Sequence, residues 1–408
     1  MKHYIFRTIA VLFIITVVIP PVNLIIPLGE SIRSGLVVIT ALLLFPNLFL
    51  KGSVIALILY STEILIYFLL GNKYFDSINI VLSTFSVLGS SIILTEYIIK
   101  YDKSFNFSRL SILIIVIAAI LMGMISLPQL DNNPFVIRDI YSDGISSETS
   151  LSRLLYFIIS WGTVTSLPFL FAPMVNICKK TYKSKKFRFL FWLFSVTFLF
   201  YLVCRSAVTT SMVVGAVMIL LGLVIGYEKF NKKNITRLLV MGGLAVVLTS
   251  PVIVVPVISF IQQNIESEDT SKRLGEIKDV FEYGETGGDL GARNELYNQS
   301  IDLFRDSPLT GTDTPEKVGK HSFFIDRLAI HGVLFIFPLV LFFIVTIKRI
   351  YRSLKYSKVI YILGLASFLF LLFFKSDAYT EIWLYGFFAL TAICRYIDDI
   401  TIQISDSK

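Results

Sequence analysis

Three positions in the chain carry chemistry of interest. Arg293 opens the segment GARNELYNQSIDLFRD, where Tyr297, Ile301 and Phe304 recur at helical spacing while Glu295, Asn298, Asp302 and Arg305 fall on another face. The start of a helix offers free N–H groups and partial positive charge, so a guanidinium there makes a place suited to a phosphate. An ordinary surface arginine fits the same position. His321 lies in GKHSFFIDRLAIHG, with Asp326 and Arg327 one turn further in. If Ser322 caps the following helix, His321 stands at its positive end. That environment favours the neutral imidazole, which accepts a proton or donates a hydrogen bond. His331, beside Gly332, suits a packing role. Arg205, in CRSAVTT, follows the apolar run FLFWLFSVTFLFYLVC, and Ser206, Thr209 and Thr210 add hydroxyls nearby. A charge so close to hydrocarbon either snorkels to water or binds an anion.

Other chemistries lack their residues. The chain has no Walker A loop, no G-x-G-x-x-G and no HExxH. No paired D-x-D stands between the apolar runs to hold a metal against a diphosphate, so neither a metal nor a cofactor is expected. Cys178, Cys204 and Cys394 are far apart and imply no disulfide framework or zinc site. If a diphosphate is handled, arginines must neutralise it.

The elements that must position these residues are membrane helices. Of 408 residues, 55% are hydrophobic and 16% charged, and the mean hydropathy is +0.75. A soluble domain cannot hide that much apolar surface. The apolar runs are continuous rather than alternating, which predicts helices. The fold class expected is therefore all-α, a polytopic protein of about twelve spans. They are placed near 5–28, 35–50, 53–70, 78–99, 110–127, 154–177, 189–204, 207–227, 238–260, 328–347, 359–375 and 381–397. The first run has no small-residue cleavage site after it and reads as a retained helix. Glu63 falls within the third helix, as a functional carboxylate, a protonated one or one bonded to a neighbouring helix. Glu96 has Lys100 four residues on, which suggests an interfacial ion pair.

The net charge of +8 does not point to nucleic acid, because the basic residues cluster in alternate short loops. Lys2 and Arg7, Lys51, Lys100 to Arg109, Lys179 to Arg188, Lys229 to Arg237 and Lys348 to Lys358 form one set. The positive-inside rule then puts both termini in the cytoplasm. Two external loops are longer. Residues 128–152 hold Asp131, Asp139, Asp143 and Glu148, and residues 261–327 form a large extracytoplasmic loop between helices nine and ten. The chain thus divides into a membrane region at 1–260, the loop with its amphipathic helix at 261–327, and a second membrane region with a short tail at 328–408.

The segments GARNELYNQSIDLFRDSPLTG and KHSFFIDRLAIHGVLFIFPL resemble the O-antigen polymerase and O-antigen ligase superfamily, especially the Wzy-type polysaccharide polymerases. The shared pattern is an arginine near a helix, a Pro-Leu-x-Gly turn, and a His-Ser or His-Asn pair leading into a helix with a glycine. Here it falls on Arg293, Pro308–Leu309–Gly311, His321–Ser322 and Gly332. The family also carries an arginine at the outer end of an earlier helix, often as Ser-Arg. CRSA supplies Arg205 without that serine. The resemblance implies a GT-C-like membrane glycosyltransferase of the bacterial plasma membrane. It would use undecaprenyl-diphosphate-linked oligosaccharides as donor and acceptor, among membrane lipid, with a chain-length regulator and a flippase as partners. Arg205 and Arg293 would bind the diphosphate, His321 would accept the acceptor's proton, and Asp326 is the second choice for that role. The first alternative is a ligase moving the finished glycan to a different acceptor. The second is a flippase or transporter of lipid-linked sugars.

Overall fold

The computed structural model describes residues 1–19, 30–69, 78–132, 159–182, 185–206, 208–225, 251–263, 288–374 and 380–406, with a few isolated positions between them. The expected spans at 5–28 and 238–260, the acids Asp139, Asp143 and Glu148, and most of the acidic half of the large loop fall partly or wholly outside these residues. Among the described residues all regular secondary structure is helical. The chain divides into two compact units. The first comprises residues 1–229, 335–372 and 378–408, and the second 230–334 with 373–377.

In the first unit the helices are α1 (Lys2–Val18), α2 (Glu30–Leu44), α3 (Gly52–Leu69), α4 (Ile78–Tyr101), α5 (Asn106–Asn132), α6 (Trp161–Ser166), α7 (Pro168–Thr181), α8 (Lys186–Arg205) and α9 (Thr209–Val224). The second unit contributes α10 (Pro251–Gln263), α11 (Gly288–Asp306) and α12, which runs Phe323–Phe335 across a break. The chain returns to the first unit with α13 (Phe337–Ser353), α14 (Lys358–Phe373), α15 (Thr380–Trp383), a π-helical turn over Leu384–Ala389, and α16 (Leu390–Asp406).

Two of these, Asn106–Asn132 and Lys186–Arg205, are long and apolar enough to cross a membrane. The pair Phe323–Leu334 and Phe337–Ser353 makes a third if taken as one broken span. Several of the twelve expected spans are shorter or interrupted, for local reasons. Pro46 starts a 3-10 turn that ends α2. Pro168 has no N–H to continue α6, which restarts as α7. Gly332 interrupts α12 at φ 66° and ψ −180°. The π turn divides the last expected span. On α5 the residues Ile117, Leu121, Met124 and Ile125 remain exposed although the opposite face is buried. An apolar helix that leaves such residues uncovered suits hydrocarbon better than water.

Polar side chains tie the helix ends of the first unit together. Arg7 Nε donates to the Tyr97 hydroxyl at 3.1 Å, and its guanidinium lies 3.7 Å from Asp102. Asp102 in turn accepts from Phe107 N and Ser108 N, capping α5. Arg395 donates to the Asp102 carbonyl at 2.6 Å, and Asp398 accepts from the backbone of Lys355, Tyr356 and Ser357. Glu96 is buried and accepts from Ser53 and from Arg349 at 3.3 Å. The expected Glu96–Lys100 pair is replaced by this tertiary one, and Lys100 lies over the Tyr101 ring. Helix ends whose loops share the basic charge pattern are therefore in contact. At the ends of α5 and α8, Asp131 pairs with Arg205.

Candidate functional site

The second unit brings three of the sequence-selected residues onto two packed elements, α11 and the start of α12. The order begins with a buried serine. Ser300 sits on α11 seven residues, about two turns, after Arg293, and so on the same face. Its hydroxyl donates to Asp326 Oδ1 at 2.7 Å and accepts from Gly319 N at 2.9 Å. The other oxygen, Asp326 Oδ2, accepts from Ser322 N at 2.9 Å. Ser322 Oγ accepts from Ile325 N at 3.2 Å. Ser322 therefore caps α12, meeting the condition the sequence left open, and Asp326 completes a reciprocal cap from one residue beyond the usual position. Ser300 and Ser322 are 0% exposed and Asp326 4%, so the bonds replace lost hydration and must be made.

This lock fixes where His321 stands. It immediately precedes the capping residue, half-buried, with its ring edge toward Tyr297 at 6.4 Å between centroids. Tyr297 is one helical turn from Arg293 and presents a second edge contact to Phe374 at 6.4 Å. The charges of Arg293 and Asp326 both act on the Tyr297 hydroxyl, whose pKa burial pushes up. Tyr297 thus stays a neutral phenol able to donate and accept. A half-buried guanidinium thus lies one helical turn from Tyr297 on α11, and a half-buried imidazole faces the Tyr297 ring. Such a set can bind an anion on the arginine side and orient or deprotonate a hydroxyl on the histidine side.

The opposite face of α11 is different. Glu295, Asn298, Gln299, Asp302 and Asp306 line a shallow depression of about 460 Å³ with Lys317, and Arg305 pairs with Asp302 at 3.1 Å. The helix is amphipathic in the sense the sequence implied, with Arg293, Tyr297 and Ser300 on one side.

The Pro-Leu-x-Gly turn and Gly332 meet. Thr312 N donates to Ala329 O at 2.9 Å, Val333 N to Pro308 O at 2.9 Å, and Leu334 N to Leu309 O at 3.1 Å. The turn at 308–312 supplies partners for backbone groups that the break in α12 would leave orphaned. Gly311 and Gly332, at φ 83° and 66°, allow the two strands of backbone to touch.

No protein-family model matches this chain, and no curated protein matches it. Function must be read from the residues themselves.

Arg205 belongs to the first unit and is partnered by Asp131, a pairing that spacing did not suggest. Asp326 lies in the second unit with both oxygens engaged as above. Glu63 is buried within the first unit at 7% exposure. Tyr297 and Ser300 were missed as site residues. Their spacing of four and seven from Arg293 was visible, but a tyrosine at an apolar position reads first as packing.

The lock yields a stability prediction. Asp326→Ala strands the Ser322 N–H and the Ser300 hydroxyl in a buried setting, and should cost about 3 kcal/mol. Asp326→Asn should retain more than half of that stability, since an amide oxygen still accepts. Thermal unfolding of the purified protein in detergent measures both; an Ala variant as stable as the parent would remove the lock.

Proposed function

We propose that this chain is a polytopic membrane glycosyltransferase that polymerises undecaprenyl-diphosphate-linked oligosaccharide repeat units at the outer face of the bacterial plasma membrane. The acceptor's terminal sugar hydroxyl attacks the anomeric carbon of the donor glycan. A new C–O bond forms there, the bond from that carbon to the diphosphate breaks, and undecaprenyl diphosphate leaves. His321 accepts the hydroxyl proton. Arg293 stabilises the charge that gathers on the departing diphosphate, where a preorganised guanidinium has most effect. Asp326 acts as a positioning residue, because its carboxylate holds the histidine's helix to α11. Arg205 lies in the first unit, paired with Asp131, and Arg293, in the segment that carries the resemblance, is the leading diphosphate contact of this reading.

The observation that carries the reading is that His321 faces the ring of Tyr297, which stands one helical turn after Arg293 on α11, in a segment that also resembles the polymerases. The gathering of basic helix ends in the first unit supports a path that crosses the membrane repeatedly with both termini inside. Twelve spans, with residues 261–327 outside, fit that path.

The direct test is elongation in vitro. Purified protein in detergent, given lipid-linked repeat units isolated from cells, should produce a ladder of lipid-linked oligomers. Folded protein that yields no ladder but moves the same glycolipid across a vesicle membrane would replace the polymerase with a transporter. A companion prediction concerns metal. EDTA should leave the ladder unchanged, because arginine rather than a cation meets the diphosphate; loss on chelation with recovery in magnesium would overturn that assignment.

A further inference from the structure

A groove in the first unit uses none of the residues assigned to the transfer site. It runs between α7, α8 and α9, has a volume of about 760 Å³ and is lined almost wholly by apolar side chains, with no acid among them. Its floor is the contact of α9 on α7. A β-carbon at Gly215 would stand 2.9 Å from the Phe171 ring, and one at Gly222 3.0 Å from the Ala172 backbone, so these glycines let the two helices close. α8 also packs on α7. Its residues Phe189, Leu193, Val196 and Phe200 recur at helical spacing along the facing wall.

Aromatic pairs bound the groove lengthwise. Phe200 meets Phe171 edge-on at 6.1 Å at one end, and Tyr182 meets Phe189 edge-on at 5.1 Å at the other. The side is open among the described residues, since Leu193, Leu220 and Leu223 are 44%, 53% and 55% exposed. The helix from Phe189 to Phe200 rises about 16 Å, close to half of a hydrocarbon core about 30 Å thick. The Tyr182 end is basic. Lys179 Nζ donates there to Leu223 O at 2.9 Å, Ile225 O at 3.2 Å and Gly222 O at 3.3 Å. The end of α9 supplies only about half an elementary negative charge, so the contact as a whole stays cationic. Lys186 stands three residues before Phe189, at the head of the row that faces the groove, with Lys185 and Arg188 beside it. Lys185 and Lys186 are exposed.

An apolar trench as deep as one leaflet, open sideways and cationic at its mouth, fits a hydrocarbon chain that carries an anionic head. Basic pockets between membrane helices select anionic headgroups in this way. A symmetric contact between two copies would instead bring two cationic mouths together at the same depth. We propose that this groove holds an acyl chain of an anionic phospholipid, with the lipid phosphate at Lys179, Lys186 and Arg188. The assignment rests on the membrane reading and not on the transfer chemistry. In that topology the lipid belongs to the inner leaflet, opposite the face where repeat units join.

The test titrates full-length protein, stripped of lipid in detergent, with dioleoylphosphatidylglycerol and with dioleoylphosphatidylcholine. Native mass spectrometry counts the lipids bound. The first phosphatidylglycerol should bind roughly tenfold or more tightly than the first phosphatidylcholine. Ala216 lines the groove on α9, and Ala216→Trp, which fills it, should weaken phosphatidylglycerol by roughly tenfold or more. Thr197→Trp, at an exposed position on the facing wall, should do the same. Lys186→Gln combined with Arg188→Gln should erase the preference and leave phosphatidylcholine where it was. Thermal unfolding shows which variants are folded, and the surface charge variant keeps the test open if neither tryptophan is tolerated. Equal affinity for the two lipids, unaltered binding in a folded tryptophan variant, or full competition by glycerol phosphate alone would each overturn the assignment. So would a dimer that excludes the lipid and is broken by Thr197→Trp, which would seat a second copy in the groove. Elongation without lipid selectivity sinks the groove and leaves the polymerase. Lipid selectivity without elongation does the reverse.

Discussion

Arg293→Ala should slow elongation of a lipid-linked repeat unit by roughly a hundredfold or more, while binding of the lipid donor changes far less. The asymmetry follows from where the charge is. The bound diphosphate already carries negative charge that solvent and lipid headgroups help to satisfy, but the bridging oxygen gains its charge only as the glycosidic bond breaks. A fixed donor aimed at that developing charge is worth about 3–4 kcal/mol in the transition state. Arg293→Lys should recover little, because an ammonium cannot reproduce two parallel N–H contacts to phosphate oxygens. The structural lock runs through Ser300 and Asp326, and thermal unfolding of Arg293→Ala separates a loss of chemistry from a loss of fold. His321→Ala should abolish elongation with insertion and donor binding intact, since the residue precedes the cap without supplying it. Near-normal polymer from folded Arg293→Ala and His321→Ala proteins would remove both from the chemistry and favour transport.

The parts of this molecule that sequence made visible are those set by local physics. Continuous apolar runs marked helices, and each expected segment contains helix among the described residues. Ser322 was legible as a cap because capping is decided within four residues. The face of α11 bearing Tyr297 was legible because helical spacing is. Three kinds of feature were not. The interruption at Pro168 and the π turn at Leu384–Ala389 lie inside segments that read as single spans. Partner choice was wrong for Glu96, where a lysine four residues away lost to an arginine 253 residues distant. A surface i,i+4 pair is worth only about 0.5 kcal/mol, so burial beside Ser53 and Arg349 outweighs it. Arg205 illustrates the same limit: its carboxylate partner is 74 residues away. The Ser300–Asp326 bond, 26 residues apart, needed the fold before the aspartate could be seen as a clamp.

Gly332→Ala and Gly311→Ala should each cost about 3 kcal/mol or more, a large share of the stability of an ordinary folded protein, and so lower both the unfolding temperature and the yield. Two effects add. At φ 66° and ψ −180° Gly332 occupies a region that is essentially closed to residues with a β-carbon, a strain of about 1–3 kcal/mol in itself. The new atom would also stand 2.4 Å from Leu309 O and 2.5 Å from Gly311 N. These neighbours are backbone, tied down by the bonds from Val333 to Pro308 and from Leu334 to Leu309, so they cannot swing aside as a side chain would. Gly311 faces the reciprocal problem, with a β-carbon 2.0 Å from Ile330 O. Relief in either variant requires the 308–312 turn to lift off α12. That would expose the Ala329 carbonyl and the Val333 and Leu334 N–H groups together, and shift the loop that leads to His321. Gly35→Ala is the control: it lies in α2 with open space around it, and should be neutral or slightly stabilising, because alanine is the better helix former. Fluorescence-detected size exclusion and thermal unfolding of the three variants decide the matter. A Gly332→Ala protein as abundant and as stable as Gly35→Ala would mean that the crossing of turn and broken helix does not hold the second unit together.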